Sequence, residues 1–316
     1  HSEFYDPSNT AAPYIMGTEV MLFDEINDFV NPTTDGSYMS TPQIHVNDNG
    51  FGYAAVSAYF MNGDTGGTEF SNTHTMAFKM TDDHGASWTG GTNTNTEYYF
   101  IPDDVFEHMF NNDVFPQTWE DPDGCPDSET YTFDRLFCTY DFDVKVDANG
   151  DPHFVVGILP TDAEYVYPGI DEACGYYHFT IDKENLANPG QANTDTGWNY
   201  SFVGSAMESW MWTDAAGSSY WQIVFPEMAI STEDSDNIFI VSSMVSVGEE
   251  IDPDDDPCTL DSTYPEWSQD VYVWKSVDGG DSWWCPLNAT NTPDPDPTDI
   301  DSPEETAVHA ANEATD

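Results

Sequence analysis

Residues 81 to 88 read Thr-Asp-Asp-His-Gly-Ala-Ser-Trp, and residues 276 to 283 read Ser-Val-Asp-Gly-Gly-Asp-Ser-Trp. Both obey one eight-residue rule, Ser/Thr-x-Asp-x-Gly-x-Ser-Trp, and each copy follows an alternating strand. The chemistry is that of a hairpin turn. Short polar side chains (Thr81, Asp83 and Ser87 in one copy, Ser276, Asp278 and Ser282 in the other) hydrogen-bond to turn backbone. Gly85 and Gly280 supply the positive φ a tight turn needs. Trp88 and Trp283 close the turn and are expected to bury a large ring at equivalent places in two sheets. A chain carrying this device twice is committed to antiparallel hairpins.

The hairpins belong to a longer repeat. Pro42 to Tyr53, Asp141 to Ile158 and Pro226 to Ser242 each give a strand, a turn and a second strand, with Asn-Gly at the first two turns. A third strand follows each, over 73–81, 176–182 and 269–276, and a fourth is read at 97–101, 198–203 and 283–285. The units divide the chain into a lead-in (1–41), a first blade (42–101), an insertion (102–140), a second blade (141–203), a connection (204–225), a third blade (226–285), an acidic linker (286–303) and the start of a fourth blade (304–316). The second blade continues Thr180-Ile-Asp-Lys-Glu-Asn and lacks the Gly and Trp of the motif. Asp103 to Phe110 suggests a short helix capped by Asp. The fold class is all-β, a propeller of four-stranded blades. Three blades and part of a fourth leave open edges. The readings left open are a piece of a longer propeller, a small ring completed by Glu19 to Asp24, and copies that cover one another's edges.

The eight-residue motif resembles the Asp-box, or BNR repeat, of sialidase-like β-propellers. The resemblance implies a structural turn on the outer hairpin of a blade. It also implies what is missing. Sialidases hold the substrate carboxylate with three arginines, because guanidinium pairs bidentately with carboxylate. The chain has five basic residues in all, and Arg135 is its lone arginine. A formal charge of −54 repels an anionic sugar as well. The chain is therefore read as a non-sialidase member of this fold.

The same charge argues against nucleic acid and anionic membrane as partners. No apolar run reaches the roughly 18 residues of a membrane span. Aromatic content of 15% separates the chain from disordered acidic tails. Cys125 and Cys138 bracket an acidic loop, and Cys258 and Cys285 bracket a hairpin, so both pairs are read as disulfides of an extracellular or cell-surface protein. Cys174 is left as a buried thiol, an intermolecular link or the partner of a cysteine elsewhere. Asn199-Tyr-Ser201 and Asn288-Ala-Thr290 are glycosylation sequons compatible with secretion.

Two acidic runs supply hard oxygen ligands suited to Ca²⁺: Asp252, Asp254, Asp255 and Asp256, and then Asp294, Asp296, Asp299 and Asp301. Asp147-Ala-Asn-Gly-Asp151 has calcium-loop character too, but its place between strands makes it a hairpin turn. Asp143, Glu227 and Glu304 or Glu305 lie on inner strands and are the acids a glycosidase channel would use. His45, His153 and His309 recur near blade starts without metal-binding spacing. Trp210 and Trp212 precede a Gly-Ser turn, are expected on an exposed loop, and are candidates for stacking on a sugar. The function expected is a non-catalytic binding or structural one, with a glycan, a protein or another copy as partner. The alternatives are a carbohydrate-active enzyme and an assembly subunit.

Overall fold

A computed structural model describes residues 21–23, 40–59, 74–91, 98–112, 114–115, 117–120, 130–133, 135–161, 174–204, 226–246 and 268–290, with short strand segments elsewhere. The first sheet is antiparallel and holds β1 (Gln43–Val46), β2 (Gly52–Ala58), β3 (Thr75–Thr81) and β4 (Tyr99–Phe100) in chain order. The helix α1 (Asp103–Asn111) follows. The second sheet holds β5 (Arg135–Val146), β6 (Pro152–Thr161), β7 (Gly175–Thr180) and β8 (Asn199–Gly204). The third holds β9 (Glu227–Ser231), β10 (Ile238–Ser246), β11 (Ser268–Ser276) and β12 (Leu287–Asn288). A short β13 (Glu313–Ala314) adds in parallel to the free edge of β9. The protein is thus all-β, with three blade-like meanders. Of the expected start of a fourth blade at 304–316, Glu313–Ala314 alone is described, and it joins the third sheet.

The sheets pack face to face around one core. Tyr53 and Phe78 of the first sheet, Phe154 and Trp198 of the second, Met228 and Trp274 of the third, and Val105, Phe106 and Met109 of α1 all belong to it. The middle strands β2 and β6 are buried along their whole length, so residues of both faces are largely apolar. A smaller cluster covers the other side of the first sheet, where Phe23 stacks on Tyr98 at 5.7 Å. Residues 21–23 carry Phe23 outside any strand, and the rest of the segment expected to complete a blade lies outside the described residues.

All three inner hairpins turn by the same chemistry. Asn47 Oδ1 accepts the N–H groups of Asn49 and Phe51, and Asp147 Oδ1 accepts those of Asn149 and Asp151. Ser231 Oγ does the same for Glu233 and Asp234. Asp147 to Asp151 is therefore a hairpin turn whose first carboxylate is occupied by its own loop. Gly50 and Gly150 provide the left-handed residue in the first two turns.

The twin eight-residue motifs form the same five hydrogen bonds. Thr81 Oγ1 donates to Asp83 Oδ1 and accepts from the N–H groups of Asp83 and Gly85. Asp83 accepts from Ser87 N–H and Ser87 Oγ. Ser276, Asp278, Gly280 and Ser282 repeat the set. These bonds favour the ionised carboxylate, so both Asp83 and Asp278 titrate below the usual range, with the serine hydroxyl the largest cause. The tryptophans depart from expectation. Trp88 and Trp283 sit at equivalent places but are only half-buried. Both turns follow the end of a strand, and each ring keeps part of its surface accessible to solvent.

The second motif also joins two sheets. Trp283 Nε1 donates to Ser201 Oγ at 2.9 Å, and Ser201 Oγ donates to Gly280 O at 2.5 Å. A Cβ on Gly280 would stand 2.3 Å from the His178 ring, whereas one on Gly85 would meet nothing nearer than 3.5 Å. Both glycines have positive φ. Gly85→Ala is expected to cost about 1–2 kcal/mol from backbone conformation alone. Gly280→Ala adds a clash inside a packed sheet contact and is expected to cost more than about 3 kcal/mol. Equal melting temperatures for the two variants would contradict this view of the junction.

Several sequence expectations are corrected. Cys138 and Cys285 are free thiols, not members of the pairs Cys125–Cys138 and Cys258–Cys285. Cys138 is not at a loop margin. It lies within β5, fully buried in the core, where burial raises its thiol pKa well above the ordinary value. Cys125 and Cys258 lie outside the described residues, and Cys174 is a buried thiol. The last strand of the third sheet is Leu287–Asn288, beyond the expected 283–285. β5 begins at Arg135, inside the stretch read as insertion. Pro102, not an Asp, occupies the N-cap of α1, and Asp103 and Asp104 fill its first turn.

Candidate functional site

The innermost strand of the second sheet contains an irregularity that no sequence motif announces. Cys138 pairs with Ile158 and Phe142 pairs with Val156, so Thr139, Tyr140 and Asp141 all stand opposite Gly157. A bulge of this kind frees backbone groups from the ladder and re-aims side chains. The freed carbonyls are taken up by the first sheet. His74 Nδ1 donates to Cys138 O at 2.5 Å, and Ser57 Oγ donates to Thr139 O at 2.9 Å. Ser57 Oγ also lies 3.0 Å from His74 Nδ1. Both His74 and Ser57 are fully buried. The bulge is therefore held from behind by a rigid polar clamp.

In front of the clamp lies an aromatic group. His74 stacks on Phe137 at 4.5 Å, and Tyr59 meets the His74 ring at 5.0 Å. Tyr140 packs edge-on against His74 at 4.9 Å and Phe137 at 5.6 Å, yet remains 41% exposed. The next residue, Asp141, is half-buried, and burial raises its carboxyl pKa to about 6. Asp141 also acts electrostatically on Tyr176, whose hydroxyl is 2.7 Å from Ser242 Oγ. A supported ring face, an uncharged carboxyl below pH 6 and a carboxylate above it thus meet on one short segment.

The inner-strand acids of the sequence reading separate. Asp143 is buried and saturated: Val144 N–H and Met228 N–H donate to it, and Lys145 Nζ lies 2.6 Å away. It ties β5 to β9 and presents nothing to a ligand. Glu227 opens β9, next to the residue whose N–H binds Asp143. Glu304, Glu305 and His309 lie outside the described residues. His153 is buried against His178, with their rings bonded at 2.9 Å, and His45 accepts Val146 N–H at 3.1 Å. His153 and His178 are structural, and His45 braces β5 through Nδ1.

Trp210 and both acidic runs, Asp252 to Asp256 and Asp294 to Asp301, lie outside the described residues, and Trp212 is described only as part of a two-residue strand. Among the described residues no group of three or more His, Cys, Asp or Glu side chains is arranged to hold a metal ion. The sequon residue Asn288 donates its side-chain amide to Asp270 Oδ2 at 2.6 Å, and Thr290 Oγ1 donates to Asp270 Oδ1. This sequon thus staples the outer edge of the third sheet. No helix among the described residues is long and apolar enough to cross a membrane.

No protein-family model matches the chain, and no curated protein matches it either. Similar solved structures include a polysaccharide lyase, the PL25 ulvan lyase, at 13% identity and a TM-score of 0.32, covering 86% of this chain and 46% of that one. NanB sialidase from Streptococcus pneumoniae is similar at 9% identity and a TM-score of 0.30, over 86% of this chain and 54% of its own. A GH62 hydrolase in complex with xylotriose is similar at 8% identity and a TM-score of 0.24, over 80% of this chain and 70% of its own. The chain spans about half the length of the first two.

Proposed function

We propose that the chain is a secreted or surface-attached carbohydrate-binding protein of propeller type, that it binds its ligand at the β5 bulge, and that it has no sialidase activity. One observation carries this reading: the bulge presents the exposed Tyr140 ring beside the Asp141 carboxyl on a segment clamped by Ser57 and His74. A ring braced by other aromatics loses little freedom when a sugar face stacks on it. An adjacent carboxyl accepts or donates hydrogen bonds to hydroxyls according to its protonation. The lone Arg135 and the charge of −54 favour a neutral glycan over an anionic one.

Titration of the protein with a panel of neutral oligosaccharides tests the reading. Tyr140→Ala is expected to weaken binding at least tenfold, about 1.4 kcal/mol, with the melting temperature little changed because the ring is exposed. Binding that is indifferent to Tyr140 would refute the assignment. Catalysis is the second reading, favoured by the raised pKa of Asp141, as suits a general acid. It requires glycan turnover by the wild type that Asp141→Asn abolishes.

A further inference from the structure

We infer that the protein has a second sugar site, at the C-terminal end of β5, which takes a single neutral pyranose unit. Tyr140 and Val146 are separated by about 20 Å along the strand, so this place is distinct from the bulge. The inner hairpin turns of all three sheets converge there on a concavity of about 140 Å³. A cavity of about 150 Å³ on the same measure admits a six-membered ring, so a concavity of this size has room for one pyranose ring with its hydroxyls toward the open side. Its walls combine Val146, Ala148 and Ile230 with the polar His45, Asp48 and Thr232. Apolar surface with a few convergent polar groups is the usual make-up of a small-ligand pocket, and it matches the C–H face and hydroxyl rim of a pyranose.

The pocket is built before any ligand arrives. Asn47 Nδ2 donates to Asp147 O at 2.6 Å, and Asn49 Nδ2 donates to Ala148 O at 3.3 Å, so the first two turns are bonded together. His45 Nδ1 accepts Val146 N–H, which places the proton of the neutral ring on Nε2. Burial, helped by the charge of Lys145, lowers its pKa to about 4, so the ring stays neutral at ordinary pH. His45 therefore offers a fixed N–H donor, while the exposed Asp48 offers an acceptor. That pair suits a vicinal diol. The carboxylates of Asp48 and Asp147 disfavour an anionic sugar.

The test is titration of the 316-residue chain with methyl glycosides of glucose, galactose and mannose, read by NMR at the His45 side chain and at the Asn49 amide. Saturable shifts with a millimolar dissociation constant are expected for at least one glycoside. Ala148 and Thr232 are exposed, so Ala148→Trp and Thr232→Trp each fill the pocket without entering the core. Each is expected to weaken these shifts at least tenfold, while Tyr140→Ala leaves them unchanged. No saturable shift, or shifts that survive both tryptophan variants, would overturn the proposal and leave the bulge site untouched. Shifts lost in Tyr140→Ala alone would assign the binding to the bulge and overturn it equally.

Discussion

Replacing Asp143 by alanine is expected to destabilise the protein by about 3 to 5 kcal/mol, because it leaves a buried lysine without its partner. Asp143 and Lys145 side chains are 6% and 5% exposed and lie 2.6 Å apart. The carboxylate also receives two backbone N–H groups, one from its own strand and one from Met228 on the neighbouring sheet. Removing it strands a cation and two donors in a place water does not reach. Replacing both members, as in Asp143→Leu with Lys145→Met, removes the cation as well and is expected to recover much of the loss. Guanidinium unfolding of the three proteins decides the matter. An Asp143→Ala variant within about 1 kcal/mol of wild type would show that solvent reaches the pair.

That residue also marks the limit of what the sequence discloses. Asp143, Glu227 and the blade-start histidines look alike in a linear pattern: polar residues on inner strands. The pattern fixes which strand carries them and leaves their partners undefined. Asp143 turns out to be a cross-sheet tie because Met228 arrives from residues far along the chain. The hairpins were legible for the opposite reason. Asn47 to Gly50, Asp147 to Gly150 and both eight-residue motifs make their hydrogen bonds within five residues, so local chemistry determines them.

The bulge left a fainter trace. Leu136, Cys138, Phe142, Val144 and Val146 are all buried in the core and keep an even spacing, which would place Tyr140 inside with them. Three residues facing Gly157 turn it outward without shifting the phase on either side. A glycine within the apolar run Phe154 to Leu159 was the one available sign, since an interior strand glycine often marks such a place. The disulfide expectation failed on a related point. Spacing identified cysteines that bracket a loop, but strand β5 extends back through Cys138 and carries it into the core.

Between pH 6.5 and about 4 the buried pair His153 and His178 is expected to make the protein progressively less stable. His178 is hydrogen-bonded to the Gly280 backbone through one ring nitrogen and faces His153 with Nε2 at 2.9 Å. The neutral arrangement follows: His153 Nδ1 donates to His178 Nε2, and His178 Nδ1 donates to Gly280 O. Both residues are almost fully buried. Desolvation dominates in each, lowering the pKa of His153 to about 4 and that of His178 well below its ordinary value. Asp147 pulls His153 weakly the other way, and His153 pushes His178 further down. The unfolded chain takes up protons from about pH 6.5 downward, while the folded one does not until about pH 4. The stabilising effect is thus complete above pH 6.5 and is lost as the pH falls through that window, by on the order of 3 kcal/mol. Asp141 works in the opposite sense. Its folded pKa of about 6 exceeds the ordinary 3.8, so protonation favours the folded form as the pH falls, although half-exposure reduces the effect. Comparison of variants separates the two. His153→Asn keeps a donor toward His178 and removes one titrating ring. Its stability is expected to fall less steeply with acid than that of wild type, by up to about 1.4 kcal/mol per pH unit within the window. Parallel stability curves from pH 7 to 4 would mean that the pair does not drive the acid response.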